Sequence, residues 1–388
     1  MRLLVLAQGY PSPANPIAGA FHRNQMAVLS KLGCEVTLVA PTPWVPPFLA
    51  DRNPRWRAMA EMPREQIDGD VRILRPRYLT SPRENRLCLS PLTQGWAVDG
   101  LKLPKPDIIH AFFALPTGLV ARHVAKSFGL PYLLTLLGDD VTIYPHYHAL
   151  SLALFRRAMT GAAAVTANGP ALATLAEQLS GRPVEALSLG VDFSRFDTLP
   201  DKAEARRQLG LPEDKTIALY VGYQVPQKGM AELDQALRDI SRPDLLTVCV
   251  GDGPERARLE ANPAILCTGA QPGERIPLYM RAADLLLLPS HHEGLPTVVI
   301  EAGGAGLPVL GSDIGGITDL LGEGRGFIHR VKDADSLAAA LSQCLDAPQE
   351  RALRAQRLAE FVRAKHDVVG NCRRLMAIYQ GVLSPCAA

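Results

Sequence analysis

The sequence predicts an α/β protein of two similar-sized domains, each built on a parallel sheet with helices packed against it. Three observations carry this. Short apolar, strand-like runs alternate with helical patterns along the chain, as βαβ units require. The alternation breaks around Gly190-Val191-Asp192 and then starts again. The length of 388 residues is enough for two substantial cores.

In chain order, Leu3–Ala7 reads as the first strand. Phe21–Leu32 reads as a helix that Gly33 stops, and Glu35–Ala40 as the next strand. The stretch from Pro41 to Pro106 is rich in Pro and Arg and reads as loops with short strands such as Val71–Leu74. Asp107–Ala111 and Tyr132–Leu137 are strands on either side of a helix at Gly118–Phe128. Another strand at Ala163–Ala167 and a helix at Pro170–Gln178 follow. Beyond the linker Leu199-Pro200-Asp201-Lys202 comes a short helix, Ala203–Leu209. Five strands then follow: Ile217–Val221, Leu246–Val250, Ile265–Thr268, Leu285–Leu288 and Val309–Gly311. Such continuous apolar runs suit strands buried on both faces, as in parallel sheets. Helices at Ser336–Leu345, Glu350–Lys365 and Asn371–Val382 close the chain.

Composition narrows the function. A net charge of +2 gives no footprint for nucleic acid. The seven Cys are scattered, with no C-x-x-C pair, so neither a zinc site nor a disulfide framework is indicated. The expected compartment is the reducing cytoplasm. The short apolar run at the N-terminus reads as a strand, and no apolar stretch approaches the length of a membrane helix. Between Trp44 and Leu92, nine Arg (52, 55, 57, 64, 72, 75, 77, 83 and 86) face six acids. With Trp44, Phe48 and Trp56, they suggest a surface that can rest on the inner face of the cell membrane. A solvated loop with internal ion pairs explains the same residues equally well.

The stretch richest in chemistry is His291-His292-Glu293-Gly294-Leu295-Pro296-Thr297-Val298-Val299-Ile300-Glu301. It reads as strand, tight turn and helix, with one carboxylate at the turn and a second eight positions on. A carboxylate can accept from two adjacent hydroxyls, and a helix start offers free N–H groups to a phosphate. Two diol grips around an anion site suit a sugar nucleotide. Taken alone, such a pair of acids is more often chance. Other pieces share the expected sheet edge, because ligands of open α/β sheets bind beyond the strands' carboxyl ends. Gly222-Tyr223 through Lys228-Gly229 combines close backbone approach with a point charge for phosphate, or is an ordinary loop with a solvated Lys. Gly251-Asp252-Gly253-Pro254 is a turn by composition. In the first domain, Ala18-Gly19-Ala20 is a small-residue loop before a helix. Gly138-Asp139-Asp140 ends a strand with acids, one of which can be a helix cap. His110 ends another strand, with a buried structural His as its rival reading. His292-Glu293 is not H-E-x-x-H, since Pro296 takes the second His position, and metal catalysis is disfavoured.

Together these stretches resemble the family 4 retaining glycosyltransferases. They are joined in this by Pro106-Asp107-Ile108-Ile109-His110, Gly190-Val191-Asp192, Leu307-Pro308-Val309 and Gly315-Gly316-Ile317. The resemblance covers nearly the whole chain. The opening Pro11-Ser12-Pro13-Ala14-Asn15-Pro16 with Gly19 and Phe21 looks most like members that build bacterial surface polysaccharides, of the teichuronic acid type. It implies the GT-B fold, two Rossmann-like α/β domains facing across a cleft. Residues 1–196 would form the N-terminal acceptor-side domain and 197–366 the C-terminal donor-side domain. Residues 367–388 would be a helix packing back on the first. It implies transfer of a sugar from a nucleotide-diphosphate sugar, UDP first and GDP second, to a glycan or lipid-linked acceptor. No cofactor is expected, because the nucleotide-sugar is a substrate and the family works without a metal.

Residue by residue, the resemblance gives Glu301 the ribose hydroxyls and Glu293 the sugar hydroxyls. The backbone amides from Gly294 through Leu295 and Pro296 to Thr297 would meet sugar and phosphate. Lys228 would stabilise the leaving diphosphate, and Gly19, Gly222, Tyr223 and Gly251 would also lie against the donor. Asp140 joins Glu293 and Lys228 as a catalytic expectation, and His110, Gly138 and Asp139 fall on the acceptor side. Three positions depart from the family pattern. Tyr223 replaces the usual Arg of a phosphate clamp, Leu137 a His before the Gly-x-Asp turn, and Phe112 the second His of His-x-His. These departures keep two other readings open, a non-catalytic nucleotide-sugar-binding scaffold and, less favoured, a nucleotide-sugar 2-epimerase.

Overall fold

The computed structural model describes residues 1–12, 19–80 and 90–384, apart from the side chains at 20, 21 and 55. Two compact units result. The first comprises Met1–Gly190 with Val368–Ala388, and the second Val191–Asp367.

The first unit is built on β1 (Arg2–Leu6), β2 (Glu35–Val39), β3 (Thr42–Pro43), β4 (Glu65–Asp68), β5 (Val71–Leu74), β6 (Arg77–Tyr78), β7 (Ile108–Phe112), β8 (Tyr132–Leu136), β9 (Ala164–Ala167) and β10 (Glu185–Ala186). The main sheet runs β10-β9-β8-β7-β1-β2-β5-β4, with β3 and β6 paired separately. Its pairs are parallel except β4 with β5. Successive side chains alternate between two cores, as the strand period of two requires. Leu3 and Val5 face a core that includes Met26, Leu29, Leu375 and Tyr379, whereas Leu4 and Leu6 face one with Val120, Val124 and Phe155. The C-terminal helix Val368–Leu383 therefore belongs to the first unit, packed beside the helix Ala20–Lys31.

The second unit holds β11 (Thr216–Val221), β12 (Leu245–Val250), β13 (Ile265–Gly269), β14 (Leu285–Leu288), β15 (Val309–Ser312) and β16 (Phe327–His329). All are parallel, in the order β13-β12-β11-β14-β15-β16. The sixth strand, β16, has no counterpart among the five read from the sequence; three residues are too few to show a period. The unit starts before the boundary expected at 196/197, because Phe193 and Phe196 bury in its core. Its two ends are tied, Val191 N–H donating to the His366 carbonyl at 2.8 Å.

The segment from 41 to 106 is more regular than expected. Among its described residues it contains β3 to β6 and the helices Pro47–Ala50, Pro54–Glu61 and Ser90–Asp99. Its basic character is also thinner. Arg75 is buried, its guanidinium donating to the carbonyls of Tyr10 and Pro11 and to Gln66 Oε1 at 2.9–3.3 Å. Arg77 donates to the carbonyls of Ala60 and Met62, and Arg57 and Arg72 pair with Asp51 and Glu65. Arg83 and Arg86 lie outside the described residues.

His110 is a core residue of β7. Its Nδ1 lies 2.6 Å from Tyr379 Oη and its Nε2 2.7 Å from Thr135 Oγ1, which in turn meets Thr166 Oγ1. Burial pushes its pKa down to about 3, with His22 adding to the effect. The unfolded chain thus takes up a proton near pH 6.5 that the folded unit refuses. Stability is full above that value and falls as pH drops toward 3. At pH 5 the cost from His110 is about 2 kcal/mol. The three Trp (44, 56 and 96) all belong to the first unit, so their fluorescence follows its unfolding. The urea midpoint should fall between pH 7 and pH 5, and by less in His110→Gln. Equal falls in both proteins would refute this account.

Candidate functional site

In the second unit, strand order reverses beside β11, with β12 on one side and β14 on the other. Loops leaving a sheet at such a point part and leave a crevice at the carboxyl ends. The loop after β11 carries Gly222 to Gly229, and the turn after β14 carries Ser290 to Pro296, ahead of the helix Thr297–Gly304.

These two loops lock together through backbone. Gly229 has φ +72°, and a Cβ there would lie 2.0 Å from the Pro289 carbonyl oxygen. His291 N–H donates to the Gln227 carbonyl at 2.9 Å, and Ser312 Oγ donates to the Ser290 carbonyl. The contact delivers Lys228 to the turn. Lys228 Nζ lies 2.6 Å from Glu293 Oε1, and Ser290 Oγ donates to the same oxygen at 2.7 Å. Glu293 is largely buried, and no described residue donates to its Oε2. A half-engaged carboxylate of this kind can still accept from a hydroxyl. Ser290 is fully buried.

Glu301 lies one turn into the helix. Arg195 Nη1 approaches its Oε1 at 3.2 Å, while Arg195 Nη2 donates to the Gly273 carbonyl at 2.6 Å. Burial pushes the Glu301 carboxyl up, and Arg195 opposes the shift. The helix start has no side-chain cap, and of its first N–H groups that of Val299 donates to the Pro296 carbonyl at 3.1 Å. Thr297 is exposed, while Leu295 and Pro296 are buried.

Gln224 organises the neighbouring loop. Its N–H donates to the Asp252 carbonyl at 2.8 Å, its side-chain amide to the Gly251 carbonyl at 3.1 Å, and its own carbonyl accepts from Glu255 N–H. This binds Gly251-Asp252-Gly253 to the β11 loop. The Tyr220 hydroxyl, pushed up by burial, donates to the Tyr223 carbonyl at 3.1 Å, and the Tyr223 ring stands exposed. Glu293, Glu301, Lys228, Gly222, Tyr223, Gly251 and Gly294 to Thr297 thus all fall on the carboxyl-end loops of one sheet or the helix that follows.

The first-unit residues part company. Gly19 opens the helix Ala20–Lys31 against the Gly9 backbone; Ala18 lies outside the described residues. Asp140, expected to be catalytic, is wholly buried. Its Oδ1 accepts from the N–H groups of Leu137 and Gly138, and its Oδ2 from that of Ala114, at 2.9–3.1 Å. No substrate group can reach it there, and it acts as a positioning residue that ties the β8 loop to the β7 loop. Asp139 is exposed beside it. His110 is committed to Tyr379 and Thr135, and Phe112 is buried against it and His22. Among the described residues, no three His, Cys, Asp or Glu gather in a metal-holding group.

Sequence reasoning passed over Arg195, Ser290 and Gln224. Ser290 sits three residues before Glu293, a reach that could have been noticed; Arg195 meets Glu301 only through the fold. It also passed over a pocket of about 440 Å³ in the first unit, lined by Gln8, Gln94, Tyr144 and Tyr147 among others.

Two family models match the chain. Residues 201–362 match "Glycosyl transferases group 1" and residues 18–190 match "Glycosyl transferase 4-like domain". TuaC of Bacillus subtilis, named as a teichuronic acid biosynthesis glycosyltransferase, is 36% identical over 98% of this chain and 99% of its own. The chain belongs to the family 4 glycosyltransferases. It is a transferase of the GT-B class. The 2-deoxystreptamine glucosyltransferase of Streptomyces kanamyceticus is 30% identical over 83% of this chain and 92% of its own. Among solved structures, sucrose-phosphate synthase from Thermosynechococcus elongatus superposes with a TM-score of 0.81 at 22% identity, covering 98% of this chain and 99% of that one. Anabaena HepE in complex with UDP gives 0.72 at 20% identity, covering 98% and 100%.

The turn has one further close contact. A Cβ on Gly316 would lie 1.7 Å from the Gly294 carbonyl oxygen and 3.2 Å from that of Glu293. Gly316→Ala must therefore displace the turn or the helix Gly315–Leu321, at a cost of about 1–3 kcal/mol. A melting curve superimposable on that of the wild type would show that the turn gives way freely.

Proposed function

We propose that this glycosyltransferase moves a sugar, with retention of configuration, from a nucleotide-diphosphate sugar to a glycan or lipid-linked acceptor of a cell-surface polysaccharide. UDP is the first choice of nucleotide and GDP the second. The observation that carries the reading is the Lys228–Glu293–Ser290 cluster, with Glu301 on the helix behind it, at the switch point of one sheet. The teichuronic acid name of the TuaC relative supports the polysaccharide role. HepE, solved with UDP and with UDP-glucose, supports the nucleotide.

In this reading the free oxygens of Glu301 and Glu293 accept from ribose and sugar hydroxyls. The uncapped helix start and Lys228 meet the diphosphate. Charge grows on that diphosphate as the glycosidic bond breaks, and donors already in place stabilise it without reorganising. Lys228 exchanges part of its contact with Glu293 for the phosphate, which frees a Glu293 oxygen for the sugar. The positive charge thus comes from the protein, and the reading calls for no metal ion. The leaving phosphate takes up the acceptor's proton, so no enzyme nucleophile is required.

A peripheral contact with the cytoplasmic face of the membrane belongs to the same proposal. No described helix is long and apolar enough to cross a membrane. Trp44, Phe48 and Trp56 are exposed, and Arg52 and Arg64 are exposed with no ion pair among the described residues. Aromatic and cationic side chains together favour an anionic lipid surface. Wild-type protein should sediment with anionic liposomes, and Trp44→Ser/Phe48→Ser should not. Equal sedimentation of both would remove the membrane contact.

Donor binding is tested by thermal shift with UDP, GDP, ADP and their sugar conjugates. Ligand at about 100 times Kd adds about 2.7 kcal/mol to stability. Glu301→Ala should lose about 1.5–3 kcal/mol of donor affinity, about tenfold or more. If the variant keeps full affinity for every nucleotide, Glu301 is not the ribose grip.

A further inference from the structure

The edge of the second unit's sheet carries two cysteines side by side. Cys249 on β12 and Cys267 on β13 are direct partners in the parallel ladder, and β13 is the outermost strand on that side. Direct partners on neighbouring parallel strands point to the same face, and such strands lie about 4.8 Å apart. That spacing falls inside the span of roughly 4.4–6.8 Å between Cα atoms that a disulfide bridges. Both side chains turn toward the same core, Cys249 fully buried and Cys267 partly exposed at its margin. A hydrogen bond already joins the two thiols. Immediately beyond the pair the register slips, so that Val250 pairs with Gly269 and Thr268 is left over on the edge strand. A bulge of this kind loosens the ladder locally and gives two sulfurs room to close to bonding distance.

The two thiols are unlike. Cys267 is the one cysteine among the described residues that is not buried. The hydrogen bond from Cys249 holds its thiol below the usual range, and the Arg256 guanidinium adds to this against burial and the carboxylates of Glu260 and Asp252. Cys249 is pushed up by the same hydrogen bond and by burial. Burial also pushes up Cys34, and Cys344 to about 12. The thiolate is the nucleophile, so reactivity follows thiolate character and access. Cys267 combines both with a partner thiol within reach. The pair is also joined to the loops above the sheet. Cys249 is the ladder partner of Tyr220 on β11, so Tyr220, Cys249 and Cys267 form one row across three strands. The Tyr220 hydroxyl at its inner end donates to the Tyr223 carbonyl. Two residues past the cysteines, Gly251 N–H donates to the Gly269 carbonyl at 3.0 Å, at the root of the loop that Gln224 holds.

We propose that Cys267 and Cys249 are a reversible modification site, a dithiol that a hydroperoxide closes to a disulfide across the edge of this sheet. The Cys267 thiolate attacks one oxygen of the hydroperoxide. The O–O bond breaks, the sulfur keeps the OH as a sulfenic acid, and the other oxygen leaves with the proton that the thiol gave up. The Cys249 sulfur then attacks the Cys267 sulfur, and the OH departs as water with the Cys249 proton. The two thiols lose a pair of electrons and the hydroperoxide gains it, so hydrogen peroxide ends as water and the sulfurs as a disulfide. Cys267 is the entry point because it is the accessible thiol, and Cys249 resolves the intermediate because it is the ladder partner. The disulfide would fix the edge strand to its neighbour beneath the Gly251 loop.

The test is treatment of the full chain with hydrogen peroxide in small molar excess, blocking of the remaining thiols with N-ethylmaleimide, and peptide mapping without reductant. Arg256 and Arg258 lie between the two cysteines, so trypsin puts them on separate peptides that only a disulfide joins. The expected result is that linked pair, short of the summed mass by a pair of hydrogens, formed before any other cysteine is lost and reversed by dithiothreitol. In Cys267→Ser, Cys249 should stay reduced under the same treatment, because the entry point is gone. In Cys249→Ala the reaction should stop at the sulfenic acid, and dimedone should label Cys267 several-fold more than in the wild type. Cys267 is partly exposed, so Cys267→Ser and the wild-type map decide the matter even if Cys249→Ala fails to fold. Absence of the linked peptide while other cysteines oxidise overturns the proposal. So does oxidation of Cys249 in Cys267→Ser, or dimedone labelling of a folded Cys249→Ala no greater than that of the wild type.

Discussion

A carboxylate that is mostly out of water must be paired, and the loops of the second unit are arranged around that requirement. Glu293 sits at a turn with little exposure, where an unpaired charge would be costly. Lys228 and Ser290 supply the pairing from two sides. Lys228 reaches it only because Gly229 lets its backbone lie against Pro289. Gly316 presses on the turn from beneath, and Gln224 joins the third loop to the first. The site is therefore set by backbone contact, and its polar groups are held in place before any ligand arrives. That is the condition for donors to act on charge that develops during a reaction.

The same constraint explains why a Tyr can stand where the family usually has an Arg. The Tyr220 hydroxyl holds the Tyr223 carbonyl and so fixes the loop's path. The missing cation is a loss of charge, not of loop geometry. Lys228 and the helix start at Thr297 remain as positive poles on these loops.

How much was legible in the sequence follows from what each feature depends on. Buried parallel strands are continuous apolar runs, so β11, β12 and β14 stand out in the sequence. The spacing of Glu293 and Glu301 is local, one at the turn and one on the helix that follows it. β16 is too short to show a period, and the elements of residues 41 to 78 are broken up by Pro. Arg75 looked like surface charge because Arg seldom buries; only the fold supplies Tyr10, Pro11 and Gln66 as acceptors. His110 and Asp140 had two readings each in sequence. Depth in the fold decided both, since His110 meets Tyr379 from the far end of the chain and Asp140 meets Ala114 from the preceding strand's loop. The pocket of the first unit is drawn from residues as far apart as Gln8 and Leu154, and no spacing rule marks them.

Asp140 then takes on a different meaning. Its carboxylate gathers three backbone N–H groups, two from the β8 loop and one from Ala114 after β7. Leu115, next in the chain, lines the pocket and holds Gln8 through its carbonyl. Tyr144, on the other side of Asp140, lines the same pocket. Burial pushes the Asp140 carboxyl up, while the three N–H groups favour its charged form and hold it down. The acid of the Gly-Asp-Asp turn thus shapes the pocket wall from behind without entering it. An acid in that place would persist whether or not it touched a substrate. Its presence at a strand end is, in this chain, a statement about architecture.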